Sequence, residues 1–285
     1  MLTGRAAVAG LAAGASGGAL GADLAGDLAF AIEIAERAGR LLMERYERVG
    51  QISRKSPKDV VTEVDHLSEE LIIAAIRERD PDDAVLAEES GEHHGRAAAA
   101  TSGRGRVWVL DPLDGTVNYA NGLPIFCVSV ALVVEGLPAV GVVHDPTRAE
   151  TLAATADGAP TLNGRPIRAS VKTDLADCVV SLAIGGRRAP TRVRAIRKAI
   201  RVSRSMGSSA LALAYVGNGR FDAMIQSGGL SAWDIAAAGL IAERAGALLT
   251  AMDGGPWFDL ARKPRSAGIV AGPPAIHGPL TALLG

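Results

Sequence analysis

Apolar residues return every three to four positions after Asp27, at Leu28, Ile32, Ala35, Ala38, Leu42 and Tyr46. That spacing predicts an amphipathic helix from Asp27, its N-cap, to about Arg48. The stretch Ser53–Val64, punctuated by Pro57, reads as extended or looped. A second helix is expected over His66–Arg79, with Leu67, Leu71, Ile72 and Ile76 on one face and Pro81 ending it. Short apolar runs then predict strands at Ala84–Ala87 and Arg106–Leu110, with His93, His94 and the following Gly/Ala/Ser/Arg residues as a surface loop. Cys127–Val134 and Val140–His144, joined by Glu135-Gly136-Leu137-Pro138, read as a hairpin. Thr151–Ala156 and Thr161–Arg168 read as another. From Cys178 the order becomes strand, helix (Arg192–Arg201), helix (Ser208–Asn218), strand (Phe221–Gln226), helix (Ala232–Gly246), strand (Gly268–Ala271) and a closing helix (Pro274–Leu284). The pattern is mixed α+β, with no repeat and no Gly/Ser or Pro-rich linker.

Composition narrows this further. The chain has 285 residues, of which 48% are hydrophobic but only 4% aromatic, so the core is built from small aliphatic side chains. The net charge of −1 gives no sign of a nucleic-acid or membrane partner. Cys127 and Cys178 both lie in apolar runs and read as buried free thiols, which points to a reducing cytoplasm. Neither they nor the five histidines have zinc-ligand spacing. Residues 1–26 are Ala/Gly-rich and only weakly apolar. They are expected to be a disordered extension or the product of an upstream start codon, with export as the lesser alternative.

The candidate chemistry is concentrated in acids. Asp111-Pro-Leu-Asp-Gly-Thr116 follows the apolar run Val107–Leu110. Pro112 biases Asp111 toward extended backbone, and Gly115 permits a sharp turn. Two carboxylates, a main-chain carbonyl and a hydroxyl at a strand end are the hard oxygen ligands that Mg²⁺ takes. An Asp-rich turn is the plainer alternative. Ala87-Glu-Glu-Ser-Gly91 lies upstream, preceded by Asp59-Val-Val-Thr-Glu-Val-Asp65, and Ala232-Trp-Asp-Ile-Ala-Ala-Ala-Gly239 lies downstream. Asp65, Glu88, Asp111, Asp114 and Asp234 each fall at a strand end or a helix start.

From about Asp27 to the C-terminus, these motifs in this order resemble the inositol monophosphatase family of magnesium-dependent, lithium-sensitive sugar phosphatases. The resemblance implies alternating α/β/α/β/α layers in two closely packed subdomains, residues 27–156 and 157–285, with the active site between them. It implies that Glu88, Asp111 and the Leu113 carbonyl hold one Mg²⁺. Asp111, Asp114 and Asp234 would hold a second, and Asp65 would help a third through water. Thr116 and Asp65 would orient the attacking water beside Glu88, and the N–H groups of Gly115 and Thr116 would receive phosphate. Gly207, Ser209 and Asp234 would line the substrate pocket. Family members are commonly dimers, so a homodimer is expected, and the partner is a small phosphorylated polyol.

Plainer roles stand beside these. Asp65 also fits a helix N-cap, and Asp234 a first-turn acid. Trp233 reads as packing, Glu89 as lying outside the ligand set, His93 and His94 as solvated, and Cys127 as core. One departure bears on substrate: Ser227 stands where the inositol-binding members carry Glu, seven residues before the helix Asp. Weak use of inositol-1-phosphate and acceptance of other small esters is therefore expected. Histidinol phosphate, fructose bisphosphate and adenosine bisphosphate are the alternatives within the family. A non-catalytic binding protein on the same fold is the alternative of another class.

Overall fold

A computed structural model describes residues 23–47, 52–56, 59–95, 105–187, 189–261 and 268–285. Residues 1–22 of the expected extension, Arg48, Pro57 and residues 96–104 of the expected loop lie outside the described residues. The chain begins with α1 (Leu24–Arg45), the hairpin β1 (Ile52–Ser56) and β2 (Asp59–Thr62), α2 (Glu63–Arg79), β3 (Ala84–Ala87) and β4 (Gly91–His93). It continues with β5 (Arg106–Asp114), α3 (Thr116–Ala120), β6 (Cys127–Val134), β7 (Leu137–Asp145), β8 (Glu150–Thr155), β9 (Thr161–Leu162) and β10 (Arg165–Pro166). After one 3₁₀ turn come β11 (Val179–Ala183), α4 (Ala189–Ala199), β12 (Val202–Arg204), α5 (Ser209–Gly217) and β13 (Ala223–Gln226). The chain ends with α6 (Ala232–Arg244), β14 (Leu248–Ala251), β15 (Ile269–Gly272) and α7 (Pro274–Ala282).

Two sheets and three helical layers alternate. An eight-stranded sheet runs β10-β9-β8-β7-β6-β5-β3-β4, antiparallel throughout except for the parallel β3–β5 pair. A five-stranded sheet runs β12-β11-β13-β15-β14. Helices α1 and α2 pack on one face of the larger sheet, α5 and α6 lie between the sheets, and α4 and α7 cover the outer face of the smaller sheet.

The side chains show why. Along β6, Val128, Val130 and Leu132 point to the α1/α2 side, while Cys127, Ala131 and Val133 point to the α5/α6 side. Both faces are buried, so the strand reads as a nearly continuous apolar run. Helix α5 is apolar all round, and every residue from Ala210 to Gly217 is buried, as the innermost helix requires.

Several expectations need correction. Asp23, not Asp27, caps α1, and its side chain accepts from the Gly26 N–H at 3.0 Å. Asp27 is instead buried inside the first turn. There it accepts from Arg79 Nη2 (2.8 Å) and from Arg106 Nη1 and Nη2 (2.8 and 3.1 Å). Arg106 also donates through Nε to both Asp83 oxygens (2.9 and 3.2 Å), and Asp83 accepts from Trp108 Nε1 at 3.0 Å. This network joins α1, α2 and β5. Within Ser53–Val64, expected as extended or looped, residues 53–56 and 59–62 are extended and pair as β1 and β2, but Glu63 and Val64 already belong to α2. His93 belongs to β4 rather than to a loop. β12 and β14 were not anticipated, being short runs directly after helices. β9 and β10 close the edge of the larger sheet, so the division expected at residue 157 runs through that sheet.

Asp27→Ala leaves two half-buried guanidinium groups short of a carboxylate. It should cost about 2–4 kcal/mol of unfolding free energy, measured by urea titration. A loss below ~1 kcal/mol would mean that solvent already screens this network.

Candidate active site

The site is built on an irregularity in β5. Asp111 pairs with Ser129 and Asp114 with Cys127 across β6, so Pro112 and Leu113 together oppose only Val128. The ladder breaks where Pro112 has no N–H to give. This bulge adds one residue to β5. Residues three apart on a regular strand point to opposite faces. Here Asp111 and Asp114 share the face turned toward α5 and α6. The bend is pinned locally: Asp111 Oδ1 accepts from the Leu113 N–H at 3.0 Å, and Ser68 Oγ on α2 donates to the Pro112 carbonyl at 2.9 Å.

Helix starts bring in the remaining acids. Helix α2 begins at Glu63 and is capped by Thr62, so Asp65 is its third residue and not its cap. Asp65 Oδ2 accepts from the Thr62 N–H at 2.9 Å, and Oδ1 accepts from Thr116 Oγ1 at 2.9 Å. Thr116 Oγ1 also lies 3.0 Å from the Leu113 carbonyl oxygen. Asp234 has the corresponding place in α6, where it accepts from the Ser231 N–H. The capping and chemical readings of these two acids are therefore compatible, because each carboxylate has two oxygens.

Carboxylate oxygens of Asp111, Asp114 and Asp234 lie within 4.8 Å of one another. Glu88, just past β3, completes the ring around Asp111. The Asp111 carboxyl is held well above the usual carboxylate range, first by burial and then by the charges of Glu88, Asp114 and Asp234. Asp114 is raised by burial, against donors that lower it. Those donors are the Ser208 hydroxyl and the N–H groups of Ser209 (3.1 Å) and Ala210 (2.8 Å) at the start of α5. Two buried acids, Asp111 and Asp114, converging with half-buried Asp234 and Glu88, offer the carboxylate oxygens that suit a hard divalent cation.

These groups line one cavity of about 370 Å³, together with Leu113, Gly115, Thr116, Val117, Gly207, Gly229, Ser231 and Trp233. Gly115 has φ +99°, and a Cβ there would stand 2.9 Å from the Ile125 carbonyl oxygen. Gly207, with φ +73°, leaves no room for a Cβ beside the Asn118 amide at 3.0 Å. Asn118 Nδ2 donates to the carbonyls of Ile125 and Met206, both at 2.8 Å, and so ties the Gly207 loop to α3. Neither Asn118 nor Ser208 was singled out in the sequence, where nothing marks either as more than an ordinary polar residue. Ser209 Oγ lies 3.2 and 3.1 Å from the oxygen and nitrogen of the Gln226 amide. Asp65, Ser209, Gln226 and Ser227 are not in the cavity lining; Ser227 Oγ accepts from the Gly185 N–H at 2.7 Å. Cys127 is buried as expected, with its thiol pushed well up by burial.

The sequence profile of the inositol monophosphatase family matches residues 23–284. The chain belongs to the inositol monophosphatase family. Its relatives include Nus factor SuhB of Pasteurella multocida, 39% identical over 79% of this chain and 85% of that protein. The fructose-1,6-bisphosphatase/inositol-1-monophosphatase of Thermotoga maritima is 36% identical over 79% and 84%. Among solved structures, extragenic suppressor protein suhB of Bartonella henselae superposes with a TM-score of 0.82 at 30% identity, over 91% of this chain and 98% of that one. A Thermotoga maritima IMPase gives 0.81 at 33% identity, over 91% and 96%. The α/β/α/β/α layering is that of these structures. The family is metal-dependent and phosphatase-type. Among the described residues, no helix is long and apolar enough to cross a membrane.

With Asp111 raised in the folded state, the metal-free protein should lose stability as pH rises from the ordinary carboxylate range through the folded value. Asp111→Asn removes that cost and keeps the acceptor for Leu113. In chelator near neutral pH its Tm should exceed the native one, and thermal scans from pH 4 to 8 should show a flatter profile. A lower Tm for the variant would mean that the carboxylate is stabilised by groups other than these acids.

Proposed function

We propose that this protein is a Mg²⁺-dependent phosphomonoesterase acting on a small phosphorylated polyol or sugar. One observation carries the reading. The Thr116 hydroxyl, bonded to buried Asp65, stands at the rim of the same cavity as the Asp111/Asp114/Asp234 cluster.

Glu88, Asp111 and the Leu113 carbonyl would hold one Mg²⁺, and Asp111, Asp114 and Asp234 a second, with Asp65 contributing to a third through water. When bound, the ions activate water and neutralise the charge that develops on phosphate and leaving oxygen. The chain's own residues set direction. The Thr116 hydroxyl donates its hydrogen bond to Asp65, so its oxygen is left to accept a hydrogen bond from a water in the cavity. Glu88 stands beside that water. The Gly115 and Thr116 N–H groups open α3, where no intrahelical acceptor exists, and receive phosphate oxygens. Gly207 and Asp234 in the cavity lining, with Ser209 just outside that lining in the same loop-to-helix segment as Gly207, would meet the alcohol. The Ser209–Gln226 pair offers donors and acceptors without charge. Ser227, at the position of the family's inositol-binding Glu, is engaged with Gly185, so the polyol end is recognised by an amide and a hydroxyl. That supports broad choice among small esters over tight selection of inositol-1-phosphate.

The SuhB relatives bear the name Nus factor, which describes a role other than hydrolysis. The acid set favours catalysis here. A protein that only binds partners has no use for several buried carboxylates that repel one another.

A turnover panel of inositol-1-phosphate, histidinol phosphate, fructose-1,6-bisphosphate and adenosine-3′,5′-bisphosphate should show Mg²⁺-dependent release of phosphate, abolished by chelator and reduced by Li⁺. No release from any of these would sink the reading. Thr116→Ala should lower kcat by roughly 10²-fold with little change in KM, as expected for a group acting on the attacking water. An unchanged kcat would remove Thr116 from the mechanism. Gln226→Ala should raise KM for polyol phosphates while Ser227→Ala leaves it within about twofold, a difference near the ~1 kcal/mol of one neutral hydrogen bond. The opposite ranking would return polyol recognition to Ser227.

A further inference from the structure

Glu69 is 3% exposed, one helical turn beyond Asp65 on α2. Its two carboxylate oxygens accept from two consecutive backbone N–H groups. Oε2 takes Glu89 N–H and Oε1 takes Ser90 N–H, both at 2.9 Å. Those peptides form the turn between β3 and β4, and the residue just before them is Glu88. A buried carboxylate is costly unless its lone pairs are satisfied. Here the donors that satisfy it belong to a turn with a chemical residue at its root.

The same face of α2 holds the rest of the site in register. Asp65 reaches Thr116 at 2.9 Å, and Ser68 reaches the Pro112 carbonyl at 2.9 Å. Two turns of one helix thus clamp the β5 bulge, the Thr116 hydroxyl and the Glu88 turn to one frame. The first two clamps act on neighbouring residues of a single segment. Glu69 makes the third, on a different segment of the chain.

We propose that Glu69 is a positioning residue for the metal centre. By binding both N–H groups it fixes the peptide planes after Glu88 and so aims the Glu88 carboxylate at Asp111. The inference rests on the proposed function in taking Glu88 as a metal ligand. Two bonds are required for this, because one alone would let the turn pivot about it. An amide in place of the carboxylate has only one acceptor atom, and its NH₂ would face the second N–H of the turn. Glu69→Gln is therefore nearly isosteric, yet the turn must rotate away from it.

The test uses the whole purified protein with Mn²⁺ as the probe cation. Mn²⁺ affinity, read by electron paramagnetic resonance and titration calorimetry without substrate, should fall about 10-fold or more in Glu69→Gln, the scale on which partners of metal ligands act. Deuterium exchange of the peptide covering residues 86–92 should speed up. In assays, half-saturating Mg²⁺ should rise by the same factor while KM at saturating Mg²⁺ stays within about twofold. Glu70→Gln, the same charge change at an exposed neighbour, should alter none of these. Should the amide prevent folding, Glu69→Met supplies a similar length with no buried polar group, and the same loss of Mn²⁺ affinity is expected. Mn²⁺ affinity unchanged in a folded Glu69 variant, even one with a lower Tm, would overturn the proposal and leave Glu69 as a fold residue. The Mn²⁺ comparison needs no turnover, so it decides the role of Glu69 even if no phosphatase activity is found.

Discussion

Everything in the site follows from the extra residue in β5. A strand normally alternates its side chains, so two acids three positions apart would end up in different layers. Pro112 withholds an N–H from the ladder, the register with β6 slips by one, and Asp111 and Asp114 come out side by side. The cost is two carboxylates buried side by side, with half-buried Asp234 and Glu88 close to them. The fold meets it with helix starts. Asp65 and Asp234 lie in the first turns of α2 and α6, and Asp114 accepts the N–H groups that open α5. Each start carries the positive end of a helix dipole, which favours nearby negative charge. The layered architecture makes this convergence available, because α2 comes from one face of the larger sheet and α5 and α6 from the other.

The surroundings of the cavity are constructed differently. The polar groups come in bonded pairs, Ser209 with Gln226 and Ser227 with Gly185, none of them in the cavity lining. Gly207 keeps its left-handed turn because Asn118 ties that loop to α3. Buried Asp65, Asp111 and Asp114 thus sit on helices and strands, while these half-exposed polar pairs sit around them.

Much of this was legible in the sequence, and the limits are physical. The five acids, the Gly-Thr turn and most elements were readable because their signals are local: short spacings, helix periods and apolar runs. The shared face of Asp111 and Asp114 was not, since it depends on how β6 pairs opposite Pro112. Asn118 and Glu69 were missed for the same reason. Their partners lie 88 and 20 residues away, and neither residue type stands out in a strip of sequence. Asp27 was read as a cap because a helix-initial Asp usually is one, whereas here it answers two arginines from distant elements. Position 227 stands out in the sequence through the resemblance to the family's pattern, but only the structure shows that its hydroxyl accepts from the Gly185 N–H.

Asp114 is satisfied from within the protein before any ion arrives. Its oxygens are already met by a hydroxyl and by successive peptide groups of α5, so this buried acid of the cluster does not wait for a cation to find its conformation. In a small zinc domain the ligands are scattered until the metal gathers them, and chelation means unfolding. Here the acids that could hold a cation are gathered by the chain itself. The empty protein should thus survive stripping, storage and reloading with a different ion as one folded species, and exchange of cations becomes a question of access to the cavity rather than of refolding.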